Sequence, residues 1–368
     1  MLFQIKSQLR GVLFIFITLT LSSGCATAQK IGDNQNVSVD NQRIYVCNQG
    51  AATLSVIDVE INEVSETIDL QELGFSANAM PHHAVAEPDG SYWYLTLIGE
   101  NLVLKFNRQN ELVAQAEIEV PGMLSLHPTK DLLLVGRSMS AVNPPKSIVF
   151  IRRSDMTMQE EIDTFFARPH ASVISPDGEW SFIGSLADNQ ILTINNETWE
   201  TDISSYKGDA HVFVDFAISP DNKTMVATGQ ISGKALFFDL SDPTSPILTD
   251  TLDVNAQPWH PVYSHDGENI YFGNKAAHTV TVIDARNQQV EAVIEGDGLA
   301  QPHGAVLSSD GKYLYVSNNN RNGTYRVDSS KPVEEQPGTI TVINTETQTI
   351  EKIINVGAYP SGIGTQAR

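Results

Sequence analysis

Ser308-Ser309-Asp310-Gly311-Lys312-Tyr313-Leu314-Tyr315-Val316-Ser317-Asn318 sets a tight-turn signal directly before an alternating apolar strand. Asp-Gly makes the turn, because glycine enters the left-handed region without steric cost and aspartate bonds its own backbone. Aromatic and branched residues then suit a pleated, half-buried surface. The unit recurs as Pro88-Asp89-Gly90, His127-Pro128-Thr129-Lys130, Ser175-Pro176-Asp177-Gly178, Ser219-Pro220-Asp221-Asn222 and Ser264-His265-Asp266-Gly267, with successive intervals of 40, 48, 44, 45 and 44 residues. A short apolar strand precedes each turn. A third strand follows the alternating one, as in Thr339-Ile340-Thr341-Val342-Ile343, and a fourth is amphipathic, as in Thr349-Ile350-Glu351-Lys352-Ile353-Ile354. Repeated short strands with turn chemistry between them predict a propeller. Six turns mark six inner strands, and Ser361-Gly362-Ile363-Gly364-Thr365 supplies a seventh. The expected fold is all-β: a seven-bladed β-propeller of four-stranded blades over residues 43–368. The C-terminal strand joins the N-terminal blade (residues 43–70) and closes the ring, which removes the open sheet edges.

Residues 1–24 read as a signal peptide. Lys6 and Arg10 form a basic start, and Gly11 to Leu21 is an apolar run too short to span a membrane. Leu21-Ser22-Ser23-Gly24-Cys25 resembles the bacterial lipobox, with Ser22 where an aliphatic residue is usual. The resemblance implies lipidation at Cys25, with residues 25–42 as a polar flexible tether. It places the protein on the periplasmic side of a bacterial membrane or at the cell surface, held by its lipid anchor alone. Ala26, rather than Asp, after Cys25 favours the outer membrane. With Cys25 so used, Cys47 has no partner for a disulfide and is expected as a buried thiol in a strand.

The formal charge is −21. An acidic surface repels phosphate backbones, so nucleic-acid binding is excluded, and metal ions, cationic ligands or a basic periplasmic protein partner fit better.

Tyr45-Val46-Cys47-Asn48 and Tyr315-Val316-Ser317-Asn318 resemble the repeat of the YVTN β-propellers. Ser55-Val56-Ile57-Asp58, Thr281-Val282-Ile283-Asp284 and Thr341-Val342-Ile343-Asn344 resemble its third strand. The resemblance covers about residues 43–368. It implies the fold rather than a reaction.

Propeller topology assigns loops to faces. The Asp-Gly turns lie at the bottom. The connections between blades, and the loops between second and third strands, lie at the top. Of nine histidines, His127 and His265 fall in bottom turns and are expected to be structural. The other seven map to the top. Pro81, Pro169, Pro258, Pro302 and Pro360 share one repeat position at the start of the inner strand. His82, His170 and His303 share the next, and His83 and His260 the one after, where the fifth blade has Asp215. His211 lies in the loop entering the fifth blade, and His278 in a loop farther from the axis. Equivalent positions in different blades converge on the central channel. His82, His83, His170, His211, His260 and His303 are therefore the expected metal ligands, with Asp215 and His278 as additional ones. Imidazoles without thiolates favour copper. The long top loop of residues 319–337 could lid the funnel, Arg168 and Arg321 could hold an anion there, and Trp259 could wall a pocket.

This histidine ring also resembles that of nitrous oxide reductases, whose propeller holds a copper cluster, and His82-His83 resemble its adjacent pair. The third blade departs from it with Gly122 and Met123, and the first with Ser361 and Gly362. The resemblance implies copper held by histidines and carries no reductase activity with it. The histidine set itself points to a periplasmic metalloprotein open to a small ligand, with a copper oxidoreductase as one such protein. Two other readings stand beside it: a non-catalytic YVTN propeller that binds a protein or envelope ligand through its top loops, and a propeller that handles a cofactor of the d1-haem type.

Overall fold

A computed structural model describes residues 42–138, 143–254 and 257–366. The signal peptide, Cys25 and all of the tether except Gln42 lie outside the described residues.

Twenty-eight strands form seven four-stranded antiparallel sheets, as the repeat predicts. The inner strands are Pro81–Ala86, Pro121–Leu126, Pro169–Ile174, Phe213–Ile218, Pro258–Tyr263, Pro302–Leu307 and Pro360–Gly364. Each pairs with the next strand of its blade, except the last. That one pairs with Arg43–Asn48 in the register Tyr45↔Gly364 and Val46↔Ile363. The ring thus closes between the two ends of the chain. The Gln42 amide donates to Thr365 Oγ1 (2.9 Å) and its carbonyl accepts from Ser309 N (2.7 Å), which ties the seam to the seventh blade as well.

The core lies between blades. Tyr45 and Leu54 of the first blade pack with Trp93 and Phe106 of the second, and the Trp93 ring stacks between Tyr45 (4.4 Å) and Phe106 (4.1 Å). Equivalent clusters fill the other interfaces, and the last unites Tyr315 and Ile340 with Ile44, Val46 and Ile363. Alternation explains this. Each middle strand buries both faces, one against each neighbouring blade. Cys47 is buried and free within the first of these clusters.

The bottom turns show why their sequence repeats. The Ser175 hydroxyl donates to Asp177 Oδ1 (2.5 Å) and accepts from Trp180 N (3.0 Å), while Gly178 N closes on Ser175 O (2.8 Å). Ser219, Ser264 and Ser308 bond Asp221, Asp266 and Asp310 in the same way. In the third blade His127 Nδ1 takes the acceptor role, receiving Thr129 N and Lys130 N. His265 Nε2 bonds Ser308 O of the next turn (2.9 Å). Gly178 has φ +81°, and a Cβ there would lie 2.5 Å from the His127 ring. Gly178→Val is therefore expected to lose about 1–3 kcal/mol, read as a lower midpoint in urea; an unchanged midpoint would contradict this account of the turn.

Candidate metal centre at the top of the channel

Each inner strand is entered in the same way. Met80, Val120, Arg168, Val212, Gln257, Gln301 and Tyr359 directly precede the seven strands, and all have φ between 46° and 61°. The carbonyl of each accepts an N–H from its own blade's second-to-third loop: Ile98, Ser138, Leu186, Gln230, Lys275, Asn319 and Gln49, at 2.8–3.1 Å. The chain therefore turns sharply at the rim. The pairing register then slips over the first residues of every inner strand, as between Pro81 and Ala84 or Pro302 and Ala305. Such bulges re-aim side chains. Here they act at the positions that carry His82, His170, His260 and His303. His260 itself has φ 29°, outside the extended range of its strand.

Four imidazoles form a chain of neighbours. Ring centroids are 5.8 Å apart for His82–His170, 6.5 Å for His170–His260 and 5.1 Å for His260–His303. All four are buried. Hydrogen bonds set two of their tautomers. His170 Nδ1 donates to Val214 O (2.7 Å), and His260 Nδ1 donates to Asp215 Oδ2 (2.8 Å). Each Nε2 is then left with its lone pair, and that of His260 is buried without a partner. A carbonyl or carboxylate behind an imidazole is the usual support of a metal-ligating histidine. Both ring nitrogens of His82 and Nδ1 of His303 are also buried and unpartnered. No hydrogen bond anchors the His82 ring. His303 is held by stacking on Trp259, centroids 4.2 Å apart.

Burial first, and the neighbouring imidazoles after it, holds His82 well below the usual histidine range. For His303 the second cause is the Lys275 ammonium. Burial, followed by the charge of His260, takes His170 to about 4 and His83 to about 3. His82, His83, His170 and His303 are therefore uncharged at neutral pH.

The other predicted site residues fall elsewhere. His83 sits beside the cluster, but its Nδ1 accepts Leu124 N (3.2 Å), so its neutral ring presents Nε2–H, a donor and not a ligand atom. Asp215 orients His260. His211 bonds Ser232 Oγ (3.0 Å), stacks on Phe213 and has Asp209 and Lys234 as its charged neighbours, so it stands apart from the axial rings. His278 accepts Gln301 N (2.9 Å) and meets Asn322 (3.4 Å), which braces the long top loop. That loop is held by its own bonds, Asn320 to Tyr325 O and Pro337 O and Gln336 to Asp328 O. The predicted set of six thus contracts to four adjoining rings with His83 alongside. Among the described residues no group of three or more His, Cys, Asp or Glu side chains is placed so that it could hold a metal ion as it stands. The sequence reading missed Lys275, whose rim position in the sixth blade is shared with Ile98, Leu186 and Asn319 of other blades. Aligning the residue after each second strand would have revealed it as the one charged residue among the seven.

No protein-family model and no curated protein matches this sequence. Solved structures do. Kuenenia stuttgartiensis hydrazine synthase is similar with a TM-score of 0.63 and 20% identity, over 77% of this chain and 89% of that one. A functionally unknown protein from Desulfotomaculum acetoxidans DSM 771 is similar with a TM-score of 0.69 and 15% identity, over 89% of this chain and 99% of that one. At these identities the likeness is one of fold, and it agrees with the geometry above: the chain is a seven-bladed β-propeller.

Proposed function

We propose that the top of the channel binds a transition-metal ion through His82, His170, His260 and His303, and that copper is the ion it takes. The observation that carries this reading is the set of four buried, unpartnered imidazole nitrogens on His82, His260 and His303. An orphaned buried polar atom costs about 1–3 kcal/mol, and a cation would satisfy several at once. The anchoring is divided in a way that suits metal entry. His170 and His260 are fixed by Val214 and Asp215, while the His82 ring has no bond to break before it turns toward an ion. Donors that are all imidazole nitrogen suit copper, which also heads the divalent affinity order. Bound there, copper would supply one-electron chemistry.

The wider reading is a YVTN-type propeller, exported by its signal peptide and lipid-anchored at Cys25 on the periplasmic side. The Tyr-Val-x-Asn strands, the lipobox-like Leu21–Cys25 and the seven-bladed fold support it.

Elemental mass spectrometry on residues 26–368, exported to a periplasm and purified without a histidine tag, tests the site. One or more equivalents of copper are expected, with at least a tenfold loss in His82→Ala/His303→Ala at unchanged circular dichroism. Protein that stays metal-free after incubation with copper, zinc and iron would rule the metal out. It would leave a scaffold whose top loops recognise a partner.

A further inference from the structure

Two cations on the top face, Lys275 and Arg321, come from the facing loops of the sixth and seventh blades. Lys275 occupies the rim position of the sixth blade, its N–H on Gln257 O, and its Nζ lies 4.4 Å from the centroid of the Trp259 ring. Arg321, in the long loop of the seventh blade, lays its Cζ 4.7 Å from the Tyr359 ring centroid. The two loops meet, since Asn322, next to Arg321, lies 3.4 Å from His278 of the Lys275 loop. Burial, and then the Arg321 charge, holds the Lys275 amine down to about 8. Among the described residues neither forms an ion pair with Asp or Glu.

The setting makes this informative. The chain has 44 acidic and 23 basic residues. Two like charges brought toward each other, one of them partly desolvated, are both stabilised by an anion placed between them. A second observation points the same way. Trp259 is 5% exposed, and its indole Nε1–H is buried without a partner. Its ring lies under the Lys275 ammonium and against His303. A point charge and a neutral N–H donor thus belong to touching side chains, and the loop that carries a planar guanidinium fork meets the loop that carries the lysine.

We propose that this part of the top face binds a small carboxylate, or an oxyanion of the same planar shape, between Lys275 and Arg321 with the Trp259 N–H as a further donor. The guanidinium fork matches the two oxygens of a carboxylate, and the lysine supplies charge without a shape requirement. The site uses none of the four proposed metal ligands, so it stands independently of the metal reading. If both hold, the anion is delivered beside His303.

Calorimetric titration of sodium acetate into the exported protein, stripped of metal with EDTA, tests this at constant ionic strength, with chloride and phosphate as parallel arms. Acetate is expected to bind more tightly than either. Lys275→Met and Arg321→Met should each weaken acetate at least tenfold, and Trp259→Phe about threefold, with thermal melts confirming folded protein. Equal acetate affinity in parent, Lys275→Met and Arg321→Met, or chloride binding as tight as acetate, overturns the proposal. Phosphate binding more tightly than acetate overturns the planar assignment. Metal content measured on the same Lys275→Met protein should match the parent. Acetate binding by a protein that takes no metal leaves this site standing and removes the metal reading. Metal binding without acetate binding does the reverse.

Discussion

Protein that ends at residue 358 will not form the closed ring. The lost strand, Pro360–Gly364, is the only partner of Arg43–Asn48 on its inner side. Its removal exposes an edge that carries Tyr45, Val46 and Cys47, all buried in the intact molecule. It takes Ile363 out of the last interblade cluster, worth about 1.5–3 kcal/mol alone. It also strips Ser317 Oγ of the Ser361 carbonyl (2.5 Å) and Ala86 N of the Thr365 carbonyl. Against a net stability of about 5–15 kcal/mol these losses together remove the cooperative fold. The expected result is no sigmoidal melt by circular dichroism and strong binding of a hydrophobic dye. A milder variant isolates the seam. A Cβ on Gly364 would lie 1.9 Å from Ala84 O, so Gly364→Val must push the closing strand off the second blade. It should melt well below the parent. A truncated protein that melts like the parent would mean that the C-terminal strand does not close the ring.

The seam also shows how much was legible beforehand. The turn Ser-x-Asp-Gly announces itself because hydroxyl, carboxylate and glycine are each needed in one local geometry. Counting those turns yields the blades, and a leftover strand at each end implies closure. The phase of the channel positions was equally readable, since proline stands at the head of six inner strands, Pro121 included. The rim turn was not. The left-handed residue that precedes each inner strand is Met80, Val120, Arg168, Val212, Gln257, Gln301 or Tyr359, and no glycine or asparagine marks it. It is held by a carbonyl bond to a loop 18 residues later, or earlier in the chain for Tyr359, and tertiary bonds leave no local signal. For the same reason the sequence could not separate ligand from donor. Val214 O lies 44 residues from His170 and Asp215 lies 45 from His260, and those contacts decide which ring nitrogen keeps its lone pair. His82 and His83 look alike in sequence, but only His83 has Leu124 N at its Nδ1.

Those buried rings make stability depend on pH in a window set apart from the carboxylates. Metal-stripped protein should lose stability steadily from about pH 6.5 down to about pH 4. The direction follows from linkage. His82, His83, His170 and His303 are all held below the ordinary histidine value of 6.5 in the folded state. Below that value the unfolded chain binds protons that the folded one refuses, so acid favours unfolding. The stabilisation is full above the unfolded value. It declines as pH falls and stops declining only at the folded value, about 4 for His170 and about 3 for His83. Each histidine that stays neutral at pH 5 gives up about 2 kcal/mol between pH 7 and pH 5. The turn carboxylates Asp221, Asp266 and Asp310 are held below their ordinary 3.8: against burial, which is the largest single influence on Asp310, each accepts a Ser hydroxyl and the backbone N–H two residues on. Their contribution is lost only at still lower pH, so the fall between pH 7 and pH 5 belongs to the histidines: the channel rings, together with His127 and His211, which burial also holds down. Urea midpoints across that range should drop in the parent and drop less in His82→Phe/His303→Phe, which replaces two titrating rings by apolar ones of similar shape. A midpoint constant from pH 7 to pH 5 would mean that the imidazoles take up protons in the folded state. His82, His170 and His303 would then be solvated cations at acid pH rather than the buried neutral bases that a metal requires.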